Sequence, residues 1–166
     1  MISKKKIIIV SGTPGTGKST LTEFLEKKLG FERLDLHEHY KKISTGYDRS
    51  AKCYDIDFIK FEKLVEEKIN EVKKGLIIDT HISHLLSPKK VDLCIVMTCS
   101  DLKKLEKRMQ ERKYSQRKIR ENLDVEIFQI CLHEAKEKGH KILTFDSSKK
   151  STQKKILEEI KKKIKI

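Results

Sequence analysis

The chain has 166 residues, 37% hydrophobic and 38% charged, which is the composition of one globular domain with a full core and a heavily ionised surface, not of a fibrous or disordered polymer. Its net charge of +13, from 38 Lys and Arg against 25 Asp and Glu, admits two readings: contact with nucleic acid or another polyanion, or a Lys-rich solvated surface. The first apolar run stops at Val10, short of a secretory signal, and no run approaches the roughly 18 residues of a spanning helix, so a cytoplasmic location without a membrane role is expected.

Strand-length apolar runs occur at residues 5 to 11, 31 to 36, 76 to 80, 91 to 98 and 141 to 146. Several are continuous, as suits strands covered on both faces. Between them the period becomes helical. Leu21, Phe24, Leu25 and Leu29 make one stripe ending at Gly30; Asp57 caps a second helix bearing Phe58, Phe61, Val65 and Val72 and ending at Gly75. A third helix carries Leu102, Leu105 and Met109, and a fourth carries Ile119, Leu123, Ile127, Ile130 and Cys131 and closes at Gly139. A last helix, from about 150 onward, bears Ile156, Leu157, Ile160 and Ile164. Strands alternating with helices predict a three-layer α/β fold with a parallel sheet of five strands, in a single domain over 1–166. The four cysteines, Cys53, Cys94, Cys99 and Cys131, form no C-x-x-C pair and are read as free thiols rather than metal ligands.

Residues 12 to 19, GTPGTGKS, match G-x-x-x-x-G-K-[ST] between a β-rich run and an amphipathic helix, the context in which such a loop wraps phosphates. Its glycines let backbone N–H groups turn inward at a helix N-terminus, and the ligand they fit is a triphosphate. Lys18 is expected to reach the β- and γ-phosphates and the Ser19 hydroxyl to ligate Mg²⁺.

Asp79 ends the third apolar strand in LIIDTHISH. It is expected at the sheet's C-terminal edge beside the loop, holding the magnesium shell; capping of the following turn is the alternative. His81 would share that side if the strand continued; on spacing alone a hydrogen-bonded structural role is favoured for it, and more strongly for His84. Arg108 and Arg112 lie four apart on one helix face, and guanidinium groups suit phosphate oxygens. Lys113, Tyr114 and Ser115 break the helix there, which predicts a short lid over about 108–119. The polar stretch 37 to 55 lacks a strong period and follows a strand, the place for a substrate-binding flap.

With a P-loop near the N-terminus, a flap after the second strand, a carboxylate at the third and arginines after the fourth, the chain resembles the nucleoside monophosphate kinases. It lacks the D-G-F-P-R motif of ordinary adenylate kinases. "DTH" at 79 to 81, "GTPGTGKST" and "RKYSQRKIRENLDVEIFQI" instead resemble the adenylate kinase isoenzyme 6 group. The resemblance implies a broad-specificity nucleoside monophosphate kinase that also hydrolyses ATP. It also implies a part in late maturation of the small ribosomal subunit, through transient binding of the ribosomal protein uS11 in the pre-small-subunit particle, close to RNA. It further implies that Gly15, Gly17, Lys18, Ser19 and Thr20 bind ATP phosphates, that Arg108 and Arg112 belong to the ATP site, and that Asp79 and His81 form a D-x-H pair for hydrolysis. The NMP-binding insertion would span about 36–56. Its acceptor phosphate would fall to Arg49, Lys52 or Lys41, so AMP binding is the least well specified step.

Overall fold

The structure, a computed structural model, describes residues 4–49 and 53–166. Strand β1 (Lys6–Ser11) leads through the glycine-rich turn into α1 (Lys18–Leu29) and β2 (Glu32–Asp35). A 3-10 turn and the one-turn helix α2 (Tyr40–Ile43) precede a hairpin of β3 (Ser44–Asp48) and β4 (Cys53–Ile56). Helix α3 (Phe58–Glu71), β5 (Gly75–Asp79) and, after two 3-10 turns, β6 (Leu93–Thr98) follow. Helices α4 (Leu102–Glu111), α5 (Gln116–Ile127) and α6 (Ile130–Lys138) lead to β7 (Ile142–Asp146) and the terminal α7 (Gln153–Ile164).

Five strands form one sheet in the order β2-β5-β1-β6-β7, and every pairing in it is parallel. Successive side chains of a strand face opposite layers, so the apolar run of β1 feeds two cores. Ile7 and Ile9 pack with Phe61, Leu64 and Val65 of α3 and Ala135 of α6, while Ile8 and Val10 pack with Leu21 and Leu25 of α1 and Ile160 and Ile164 of α7. The continuous run is thus the signature of a strand with helices on both faces. The three-layer α/β fold is as the sequence predicts.

Three boundaries differ. Helix α3 stops at Glu71, not at Gly75, because Val72 turns into the core at 1% exposure and Gly75 opens β5. A Cβ at Gly75 would stand 2.6 Å from the Lys6 carbonyl oxygen and 2.9 Å from the Phe31 ring, so this glycine serves a close strand approach, not a helix stop. The long fourth helix divides where Gln129 adopts φ 51°. Ile127 and Ile130, read as part of one stripe, are exposed at 53% and 38%, as is the neighbouring Phe128 at 65%. Finally, residues 44–48 and 53–56 pair as antiparallel strands rather than lying as irregular chain, with Tyr54 between Tyr40 (stacked, 4.8 Å) and Tyr47 (edge-on, 5.0 Å). Cys94, Cys99 and Cys131 are free thiols, and burial pushes Cys94 up to about 12. Among the described residues, no helix is long and apolar enough to cross a membrane.

Candidate functional site

The turn between β1 and α1 lies at the C-terminal end of the central strand, with β5 on one side and β6 on the other. Gly12, Gly15 and Gly17 all have positive φ. At Gly12 the need is steric as well, since a Cβ there would stand 2.4 Å from the Met97 carbonyl oxygen. Thr16 Oγ1 donates to Thr13 O at 2.7 Å inside the turn. Thr13 Oγ1 in turn donates to Glu126 Oε2 at 2.7 Å, and the other oxygen of Glu126 accepts from the Cys99 amide at 2.8 Å. A carboxylate 4% exposed on α5 therefore ties the loop to the exit of β6. Nothing local to Glu126 singles it out, because its partners lie 113 and 27 residues away.

Lys18 curls over the turn, its ammonium donating to Gly12 O at 2.8 Å and Thr13 O at 3.2 Å. Burial lowers its pKa to about 8 against the opposing pull of Asp79. Asp79 pairs in register with Val10, the penultimate residue of β1, so the strand delivers its carboxylate to the foot of α1. Its Oδ2 accepts from Ser19 Oγ at 3.3 Å, Thr22 Oγ1 at 3.1 Å and Arg33 Nη2 at 2.6 Å. The expected edge position holds. Arg33, on β2, was not foreseen. Ser19 and Thr20 are exposed on the first turn of α1, and Ser19 Oγ with Asp79 supplies the hard oxygen donors that suit Mg²⁺.

The strand ends at Asp79, and the Thr80 amide closes onto Val10 O. His81 therefore reaches the site by the turn and not by strand alternation. It lies open to solvent at the cleft, yet desolvation by the surrounding protein and the nearby Lys18, His84, His37 and Lys118 push its imidazole down to about 4. His84 is 3% exposed. Its Nδ1 meets Ser11 Oγ at 2.7 Å and its Nε2 meets Glu134 Oε2 at 2.5 Å, a structural bridge between α6 and the end of β1, as its spacing suggested.

Arg108 and Arg112 separate. Arg108 Nη1 donates to Gly15 O at 3.0 Å and Ser147 Oγ at 2.9 Å, joining the loop to the turn after β7. That turn is held by Asp146; burial opposes its charge, but bonds from Ser100 and Ser148 outweigh it and keep the carboxyl far below the usual range. Arg112 ends α4, exposed, where residues 112–115 turn into α5. On the hairpin side Lys41 and Arg49 are exposed; Lys52 lies outside the described residues.

A family model described as an AAA domain matches residues 8–129. The Schizosaccharomyces pombe "Adenylate kinase isoenzyme 6 homolog" is 41% identical, covering 78% of this chain and 74% of that one. A Methanocaldococcus jannaschii protein bearing an adenylate kinase name is 38% identical, over 94% of this chain and 86% of its own. The chain belongs to the adenylate kinase isoenzyme 6 family. Membership makes it a phosphotransferase. Among solved structures, "deoxyadenosine kinase from M.mycoides with bound dATP" superposes with a TM-score of 0.60 at 17% identity, covering 97% of this chain and all of that one, a likeness of fold.

Proposed function

We propose that this family member transfers the γ-phosphoryl group of ATP to AMP, forming two ADP, and hydrolyses ATP when no acceptor is bound. The observation that carries the reading is the convergence of Lys18, Ser19 and Asp79 at one helix N-terminus, from two neighbouring parallel strands. Inward N–H groups and the α1 dipole favour a polyphosphate there. Lys18 leaves its carbonyl partners for the β- and γ-phosphates, while Gly15, Gly17 and Thr20 complete the phosphate cradle. Ser19 and Asp79 would hold Mg²⁺, which neutralises charge developing on the phosphates. Arg108, already on Gly15 O, positions the loop, and Arg112 closes over the transferring group. His81, kept neutral, accepts a hydrogen bond from the attacking water or hydroxyl.

A second reading is that ATP hydrolysis is the main activity and transfer to AMP incidental. It is favoured by a flap whose described lysines and arginine, Lys41, Lys42 and Arg49, are all exposed. In that reading the chain is an assembly factor in late maturation of the small ribosomal subunit, binding uS11 within the pre-small-subunit particle in the cytoplasm. A nucleic-acid-binding module with a vestigial loop is opposed by the intact Lys18, Ser19 and Asp79. Steady-state ATP turnover with Mg²⁺ alone, with AMP and with recombinant uS11 separates the readings. AMP-dependent ADP formation indifferent to uS11 means a nucleotide kinase; turnover changed chiefly by uS11 means an assembly ATPase.

A further inference from the structure

The net charge of the chain is not spread over the molecule. In a parallel α/β sheet all strands begin, and the helices covering them end, at the same side. Here that side, opposite the glycine-rich turn, gathers residues 4–6, 27–32, 68–74, 89–92, 136–141 and 161–165. These segments hold 17 lysines against four carboxylates, Glu32, Glu71, Asp92 and Glu137, whereas the remaining 21 Lys and Arg are matched by 21 Asp and Glu. Glu66, the ion-pair partner of Lys90, also faces this end, so the end carries +12 of the +13.

Contacts join the segments into one face. Lys5 Nζ donates to Ile69 O and Asn70 O, the Lys6 amide to Lys74 O, and Lys141 Nζ to Lys163 O. Lys4, Lys5, Lys89 and Lys90, with Asn70 and the two carboxylates Glu66 and Asp92, line a groove of about 600 Å³ that also holds Ile7, Ile69 and Val91, a net charge of +2. Lysines in the last turns of α1, α3, α6 and α7 are accounted for by the helix dipole. Lys4, Lys5, Lys6, Lys73, Lys74 and Lys141 are not, since they sit on strand starts and linkers, and Lys89 and Lys90 end only a one-turn 3-10 helix. Among the 17, ion pairs with carboxylates engage Lys6, Lys68 and Lys90. Crowded like charges oppose the compact state, so their concentration calls for a ligand that repays it.

We infer that this end is a docking face for the phosphate backbone of a nucleic acid. Five strands spaced about 4.8 Å apart make a face about 20 Å wide, enough for several successive phosphates. Anionic headgroups would also attract these lysines, but firm membrane attachment adds inserted apolar side chains, and a protein interface adds an apolar patch core. Of the exposed large hydrophobics in the described chain only Ile166 lies here; the others are on the hairpin, on α3 and α4, and at the α5–α6 junction. None of the exposed aromatic rings among the described residues, Tyr47, Tyr54 and Phe128, lies at this end to stack a base. Binding is therefore blind to sequence and governed by salt. The inference rests on charge placement and is independent of the phosphotransfer reading.

The test is fluorescence anisotropy of a labelled 30-nucleotide RNA, single-stranded and duplex, between 50 and 300 mM KCl. The quadruple variant Lys28→Glu, Lys73→Glu, Lys89→Glu, Lys138→Glu alters four exposed lysines, one in each of four segments. Its control, Lys60→Glu, Lys103→Glu, Lys107→Glu, Lys154→Glu, makes the same charge change at exposed sites elsewhere. The expected result is at least tenfold weaker binding at 100 mM salt and a log–log salt slope smaller by about three for the first variant only, with AMP-dependent turnover retained by both. Equal loss in the control, no binding by the parent chain, or stronger binding to phosphatidylserine vesicles or polyglutamate than to RNA would each overturn the assignment.

Discussion

Arg33 Nη2 lies 2.6 Å from Asp79 Oδ2, with the two side chains 17% and 6% exposed. Strand β2 thereby orients the carboxylate that β5 delivers to the glycine-rich turn. Removing one member of such a pair leaves a charge poorly solvated, which costs about 3 kcal/mol. Arg33→Met is expected to lower the melting temperature by several degrees and to raise the Mg²⁺ concentration needed for half-maximal turnover. A variant with unchanged metal dependence would reduce Arg33 to a packing role.

Glu126 accepts from Thr13 and from the Cys99 amide in a buried setting. Glu126→Ala leaves both donors unsatisfied, at about 1–3 kcal/mol each, and frees the turn. ATP affinity measured by calorimetry should fall at least tenfold. Glu126→Gln keeps an acceptor for Cys99 and should recover most of it, because the Thr13 hydroxyl can rotate to accept.

Lys18 sits near pKa 8 because burial disfavours its charge. Its folded value is below the ordinary 10.5 of the unfolded chain, so between about pH 8 and 10.5 the unfolded state binds more protons and this group's contribution to stability rises with pH. ATP affinity should move the opposite way, weakening above pH 8 as the ammonium is lost, with proton uptake on binding visible as a buffer-dependent enthalpy. Lys18→Met should abolish turnover without lowering the melting temperature.

His81, held down to about 4, is neutral throughout the physiological range. Turnover should show no acid limb between pH 6 and 8. His81→Ala should depress kcat more than ATP binding; a parallel loss of both, or an acid limb near 6.5 that vanishes in the variant, would contradict the assignment.

Arg108 and Arg112 should differ in kind. Arg108 bonds to Gly15 O and Ser147 Oγ, so Arg108→Ala should chiefly raise KM for ATP. Arg112 is exposed at the turn, and Arg112→Ala should lower kcat by about tenfold or more with little change in KM. Identical kinetic signatures would mean that the two act as one unit.

Features that depend on neighbours along the chain are legible from the residues alone. The runs read at 5–11, 76–80 and 91–98 name the strands found at 6–11, 75–79 and 93–98, because burial on both faces demands continuous apolar residues. The glycine pattern before Lys18 names its turn because few other residues accept positive φ. Tertiary structure decided what depends on residues far apart. Nothing local to Arg33, Glu126 or His84 says that each will meet a group 46, 113 or 73 positions away. The same local pattern that reads Ile119 to Cys131 as one stripe could not register Gln129's left-handed backbone, which ends that helix early. Charge divides along the same line: composition fixed +13, but only the common direction of five parallel strands, which brings every strand start to one side, made it a face.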